Sequence, residues 1–104
     1  MAVTSEQLNI NVTFKNTDAS DALRTYAEDK ITNCLHKFVH HETRVHLVLA
    51  VEKNRKVAEI SFHTDGFDFM SKEESLDLYS CVDALIDSLS IQLRKRKEKL
   101  TSHH

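Results

Sequence analysis

The sequence predicts an α+β fold of order β-α-β-β-β-α, a two-layer sandwich with two helices on one face of a four-stranded sheet. Three observations predict it. Apolar residues alternate with polar ones in several short stretches, which is the period of a half-buried strand. They recur every three or four residues in two longer stretches, which is the period of an amphipathic helix. The length, 104 residues, suits one hydrophobic core and not two, so a single domain spanning 1–104 with its core in about 7–100 is expected.

Leu8, Ile10, Val12 and Phe14 alternate with Asn9, Asn11 and Thr13, placing the first strand at about Gln7 to Lys15. Asn16-Thr17-Asp18 offers side-chain oxygens suited to a helix cap, and Asp21 suits the positive end of the helix dipole. Leu23, Tyr26, Ala27, Ile31, Cys34, Leu35 and Phe38 then give one apolar face to a helix from about Ala19 to Lys37. Val45, Leu47, Leu49 and Val51 alternate, and Ala58, Ile60 and Phe62 do so after the polar cluster Glu52-Lys53-Asn54-Arg55-Lys56, which reads as a hairpin. Asp65-Gly66 is a second turn of the kind that tolerates positive φ, and Phe67–Ser71 returns as a short fourth strand. Leu78, Val82, Leu85, Ile86, Leu89 and Leu93 mark a long helix from about Leu76 to Leu100. Three strands joined by short turns run antiparallel, with one face covered and the other (Asn9, Asn11, His46, Val48, Ser61, His63) open.

Composition narrows the function classes. Hydrophobic residues make up 40% of the chain, no apolar run approaches the roughly 20 residues of a membrane helix, and Met1-Ala2-Val3-Thr4-Ser5-Glu6 lacks the features of an export signal, so a cytoplasmic protein without membrane contact is expected. Cys34 and Cys81 each fall within a helical apolar pattern, where a free thiol acts as a small hydrophobe. The net charge is −2, not that of a strongly basic nucleic-acid binder. Its distribution is uneven. From Gln92 to His104 five cations stand against Glu98 alone, so that segment carries +4 and the remainder −6.

The apolar stripe of the last helix stops at Leu93, and Arg94, Lys95, Arg96, Lys97 and Lys99 follow. Cations at a helix C-terminus are also favoured by the macrodipole, so a solvated helix end is one reading. Five cations within six residues repel one another, however, and a polyanion converts that cost into affinity by counterion release. Smaller basic groups occur in the hairpin (Lys53, Arg55, Lys56) and on the first helix (Arg24, Lys30, Lys37). They would join the terminal run in a groove if the hairpin tip lay near the end of the last helix.

The other constellations favour bland readings. Cys34, His36, His40 and His41 lack the paired spacing of a closed zinc site, so no metal is expected, and His103 and His104 are terminal. Glu73, Glu74 and Asp77 read as acidic residues at the start of the last helix. With no phosphate loop, activated nucleophile or metal-binding His pair, neither an enzyme, a cofactor nor a small-molecule substrate is expected.

The run Asp77-Leu78-Tyr79-Ser80-Cys81-Val82-Asp83-Ala84-Leu85-Ile86-Asp87, followed by Gln92-Leu93-Arg94-Lys95-Arg96-Lys97-Glu98-Lys99-Leu100, resembles the short ribosome hibernation-promoting factor and ribosome-associated inhibitor A family, the sigma-54 modulation protein family. The family pattern D-M-Y-x-A-I-D-x-L-[IV]-D-K-L, then Q-L-x-K-x-K-x-K, is met at Asp77, Tyr79, Asp83, Leu85, Asp87, Leu89, Gln92, Leu93, Lys95, Lys97 and Lys99. Leu8-Asn9-Ile10, Ala22-Leu23-Arg24, Val51-Glu52-Lys53 and His63 extend the resemblance over nearly the whole chain.

The resemblance implies a double-stranded-RNA-binding-like fold lodged in the small-subunit channel used by messenger and transfer RNA, blocking translation in stationary phase or stress. Short members also favour ribosome dimers. The resemblance points to the short type, monomeric when free, since neither a further dimerisation domain nor an acidic tail follows Leu100. The sequence departs from the family where Thr32-Asn33-Cys34-Leu35 replaces K-L-E-[KQ], and where Ala50 and Ser88 stand in place of lysines. The expected rRNA-binding residues are Arg24, Lys30, Lys53, Arg55, Lys56, Arg94, Lys95, Arg96, Lys97 and Lys99. A general structured-RNA-binding module, or an adaptor that binds a protein on the open sheet face or a strand edge, are the alternatives.

Overall fold

The computed structural model describes residues 8–39, 42–64 and 67–101; of residues 67 and 97–101 only the backbone is described. The elements are β1 (Leu8–Lys15), α1 (Asp21–Leu35), β2 (Thr43–Glu52), β3 (Arg55–Thr64), β4 (Phe67–Ser75) and α2 (Leu78–Thr101). The sheet order is β1-β2-β3-β4. β1 and β2 pair in parallel because α1 carries the chain back between them, and the other two pairings are antiparallel. This is the expected β-α-β-β-β-α architecture, with both helices packed on the four-stranded mixed sheet.

Alternation decides which face each residue takes. Val45, Leu47 and Leu49 of β2 and Ala58, Ile60 and Phe62 of β3 point into the core, while Arg44 and His46 stay exposed between them. Leu23, Ala27 and Ile31 of α1 and Val82, Leu85 and Leu89 of α2 meet that inner face. Each large apolar side chain so buried contributes roughly 1.5–3 kcal/mol relative to exposure, and this burial sets the register of the whole sheet.

The start of α1 differs from expectation. Asn16 has φ 59, a left-handed conformation that turns the chain out of β1, so Asn16-Thr17-Asp18 forms the connection and does not cap the helix. Ser20 is the N-cap, with extended dihedrals, and its Oγ accepts from the Leu23 N–H at 3.2 Å. The helix ends at Leu35, before the expected Lys37, and Val39 then tucks fully into the core.

β4 is longer than expected. Its pairing with β3 continues to Lys56↔Ser75, which places Glu73 and Glu74 in the strand and not at the start of α2. Glu74 pairs with Arg55 at 3.4 Å. Capping of α2 falls to Asp77, whose carboxylate accepts from the Ser80 N–H and the Ser80 hydroxyl, both at 2.9 Å. These bonds hold its carboxyl below the ordinary carboxylate range. The Asp65-Gly66 turn lies outside the described residues.

The two helices run parallel. Tyr26 in the first half of α1 donates its hydroxyl to Asp83 and meets the Tyr79 ring edge-on at 5.0 Å, near the start of α2. Eight residues on, Cys34 Sγ lies 3.3 Å from Ser90 Oγ. Both helix starts therefore sit at the end of the sheet that holds the β2–β3 turn, where Cys81 Sγ donates to the Lys56 carbonyl at 3.0 Å. The C-terminus of α2 sits at the other end.

Candidate RNA-binding surface

The cations of the hairpin and of α2 fall into two poles, set by the direction of α2. Its buried stripe ends at Leu93, which is 4% exposed, and the helix continues to Thr101, about 12 Å further at 1.5 Å per residue. Arg94 and Lys95 are exposed on this extension and Arg96 is half-buried. The Lys97 and Lys99 side chains lie outside the described residues. Successive residues fan around the helix by about 100°, which suits contact with phosphates on several sides and gives no single base-reading edge.

The second pole is the β2–β3 turn. Lys53 takes a left-handed φ of 57 at the first turn position, and Lys53 and Arg55 are exposed while Lys56 is half-buried. Arg55 is held between Glu52 at 3.8 Å and Glu74 at 3.4 Å, so it offers less free charge than its neighbours. The groove joining this tip to the end of α2 does not form. Lys56 lies beside Cys81, and from Cys81 to Lys95 the helix advances about 21 Å, so the poles are at opposite ends.

α1 contributes two cations along the helical layer. The Arg24 guanidinium stands over the Phe14 ring and Lys30 Nζ over the Tyr26 ring, each 5.4 Å from the centroid. The Asp83 carboxylate that receives the Tyr26 hydroxyl pushes the Tyr26 pKa up, keeping the phenol a donor. On the turn Thr32–Leu35, Cys34 and Leu35 are buried and only Asn33 is exposed, so this stretch offers no cation. The outer stripe of α2 reads Tyr79, Asp83, Asp87, Ile91, Lys95, acidic near its start and basic near its end.

The remaining chemistry-bearing residues serve packing. Cys34 and Cys81 are buried free thiols whose pKa values burial pushes up. Cys34 faces Ser90, His36 caps α1, and His40, His41, His103 and His104 lie outside the described residues. Among the described residues no three His, Cys, Asp or Glu gather as metal ligands, and no helix is long and apolar enough to cross a membrane.

On the open face of the sheet the structure adds a residue that sequence reasoning passed over. Arg44 is exposed beside Asn9 of β1, and with His46, His63 and Asp68 it lines a shallow depression of about 710 Å³. The signal was present in the outward place of Arg44 between inward Thr43 and Val45, but a lone arginine in a strand does not stand out among denser basic runs.

Known proteins are similar to this chain in sequence and in fold. A Klebsiella oxytoca protein named ribosome hibernation promoting factor is 33% identical over 96 residues, covering 92% of this chain and 100% of that protein. A protein of the same name from Azotobacter vinelandii is 35% identical over 88% of this chain and 85% of its own length. A ribosomal subunit interface protein from Coxiella burnetii superimposes with a TM-score of 0.76 at 27% identity, over 86% of this chain and 97% of that one. The N-terminal domain of Thermus thermophilus Protein Y does so with a TM-score of 0.74 at 28% identity, over 84% and 97%. Residues 10–101 match the model of one family across both helices and all four strands, and the chain belongs to that family, the sigma 54 modulation protein / S30EA ribosomal protein family.

Proposed function

We propose that this protein is a ribosome hibernation factor of the cytoplasm that binds the small ribosomal subunit in the channel of messenger and transfer RNA and inhibits translation by occupying it. The observation that carries the reading is family membership over residues 10–101 combined with a cationic end of α2 that extends past the last core residue. Relatives matched along their whole length carry the name ribosome hibernation promoting factor. The mechanism is steric and electrostatic. The helices and sheet form a wedge 48 × 28 × 18 Å across, and Arg24, Lys30, Lys53, Arg55, Lys56, Arg94, Lys95, Arg96, Lys97 and Lys99 supply phosphate contacts along it. No side chain need act as an acid, base or nucleophile. Affinity should fall steeply with salt, because each phosphate neutralised releases counterions.

Sedimentation with purified small subunits at low and moderate salt tests the proposal. Co-sedimentation that weakens with salt and resists competition by free duplex RNA is expected. Absence of co-sedimentation at every salt would defeat it, and equal affinity for free duplex would favour a general RNA-binding module.

A further inference from the structure

The helical layer and the hairpin tip absorb the cations named so far, and the open face of the sheet carries a separate cluster. Arg44 and His46 of β2 and His63 of β3 stand on that face toward the end where α2 terminates, and line the 710 Å³ depression with Ser61 and Met70. His46 is flanked by Asn11 of β1 and Ser61 of β3, its register partners. His63 Nδ1 bonds to Asp68 Oδ1 at 2.7 Å. Both helices lie on the other face, so the ring nitrogens look outward. Met70 is 69% exposed.

The charge of this depression depends on the imidazoles. Among the described residues its fixed charges are Arg44 against Glu42 and Asp68, a net −1 while both rings are neutral. Two protonated rings make it +1. In the next row across the face, Glu59 and Lys72 are register partners and offset one another, and β1 presents only Asn9 and Asn11 beside Arg44 and His46. Imidazole is the side-chain type whose charge ordinarily changes between about pH 5 and 8. An anion would thus be repelled from the depression while both rings are neutral and attracted once both are protonated. The donors present are a planar guanidinium, two imidazole N–H groups, a hydroxyl and the Asn9 and Asn11 amides nearby, a set suited to phosphate oxygens.

We infer that the open sheet face holds a proton-gated site for the RNA phosphate backbone, formed by Arg44, His46 and His63 and opened by protonation of the two histidines. This rests on the ribosome-binding reading and adds a second face to it. The basic end of α2 grips RNA at any pH, and the sheet face adds its contact only as the medium acidifies.

The test compares small-subunit binding at pH 6 and pH 8, at fixed salt, for the full chain and two double variants. The wild type should bind at least roughly tenfold more tightly at pH 6, the order expected of one or two charge-assisted contacts. H46N/H63N should match the wild type at pH 8 and lose most of the gain at pH 6. E42Q/D68N, which removes the two carboxylates, should bind more tightly than wild type at pH 8. All four positions are exposed, and equal melting temperatures would establish that the variants fold. If H46N/H63N keeps the wild-type ratio between the two pH values, or E42Q/D68N gains nothing at pH 8, the gated site is overturned while ribosome binding stands. A wild type that fails to bind at both pH values overturns the ribosome reading, and this inference with it.

Discussion

Neutralising the two cationic poles separately and together tests whether they act as independent phosphate contacts. Arg94 and Lys95 are exposed beyond Leu93, and Lys53 and Lys56 lie at the β2–β3 end beside Cys81. Replacing two phosphate-contacting cations should reduce the slope of log K against log salt by about 1.4–1.8, the range between single-stranded and duplex geometry. Over a fourfold rise in salt, such as from about 50 to 200 mM, that slope difference amounts to roughly one power of ten. R94Q/K95Q should therefore bind more weakly than wild type at low salt and lose about tenfold less affinity across the range. K53Q/K56Q should do the same at the other pole. The poles are separated by about 21 Å along α2, well past the distance at which substitutions couple, so the quadruple variant should show the sum of the two effects within about 0.5 kcal/mol. Titration of each variant against small subunits at four salt concentrations, with circular dichroism to check folding, measures this. A wild-type slope in R94Q/K95Q would refute the assignment of α2, and strong non-additivity would refute two separate poles.

Three further outcomes follow from the fold. Asp77→Ala removes the α2 cap and should lower the melting temperature at neutral pH. Because Ser80 holds the folded-state pKa of Asp77 below its ordinary value of 3.8, this stabilisation is present above the unfolded pKa and lost as pH falls through the folded one, so the gap between wild type and variant should narrow below about pH 4. A gap that stays constant down to pH 2 would contradict this. Leu89→Ala, at a side chain with no exposure, should cost about 2–5 kcal/mol in urea unfolding, and a loss below about 1 kcal/mol would show that the site is not the packed core described. Cys34 and Cys81, buried and with raised pKa values, should resist a thiol reagent in the native protein and react once it is unfolded; rapid labelling of either in native buffer would count against that burial.

Periodicity made most of the fold legible because burial and pattern agree in β1, β2, β3 and α2. The places where reading failed have local causes. Four residues before α1, Asn16, Thr17, Asp18 and Ser20, carry capping oxygens, and only the left-handed turn at Asn16 shows why Ser20 takes the role. The second half of β4 was hidden because its inward positions are Ser71, Glu73 and Ser75, and Ser71 meets Ser88 of α2 through a hydroxyl contact of 3.1 Å in place of an apolar one. In the candidate site, residue types were legible but their arrangement was not. Whether hairpin and helix cations converge depends on the parallel run of the helices, which is fixed by pairs such as Tyr26–Asp83 and Cys34–Ser90, separated by more than fifty positions in the chain. Arg44 acquires company only when β2 and β3 pair.

If both poles hold phosphates as proposed, the single unbroken α2 also makes the molecule a gauge of length. A flexible linker between two basic segments would let each find its own phosphate at many separations, with an effective concentration that changes slowly with span. A continuous helix, seated on β3 and β4 over its first four turns, permits one separation only. Two grips on such a rod both engage when the polyanion presents phosphates at the matching span, and only one engages when it does not. Selectivity for a folded RNA over a random strand can arise in this way without any base being read, and a shift of the RNA by a few ångströms would release one grip while the other held.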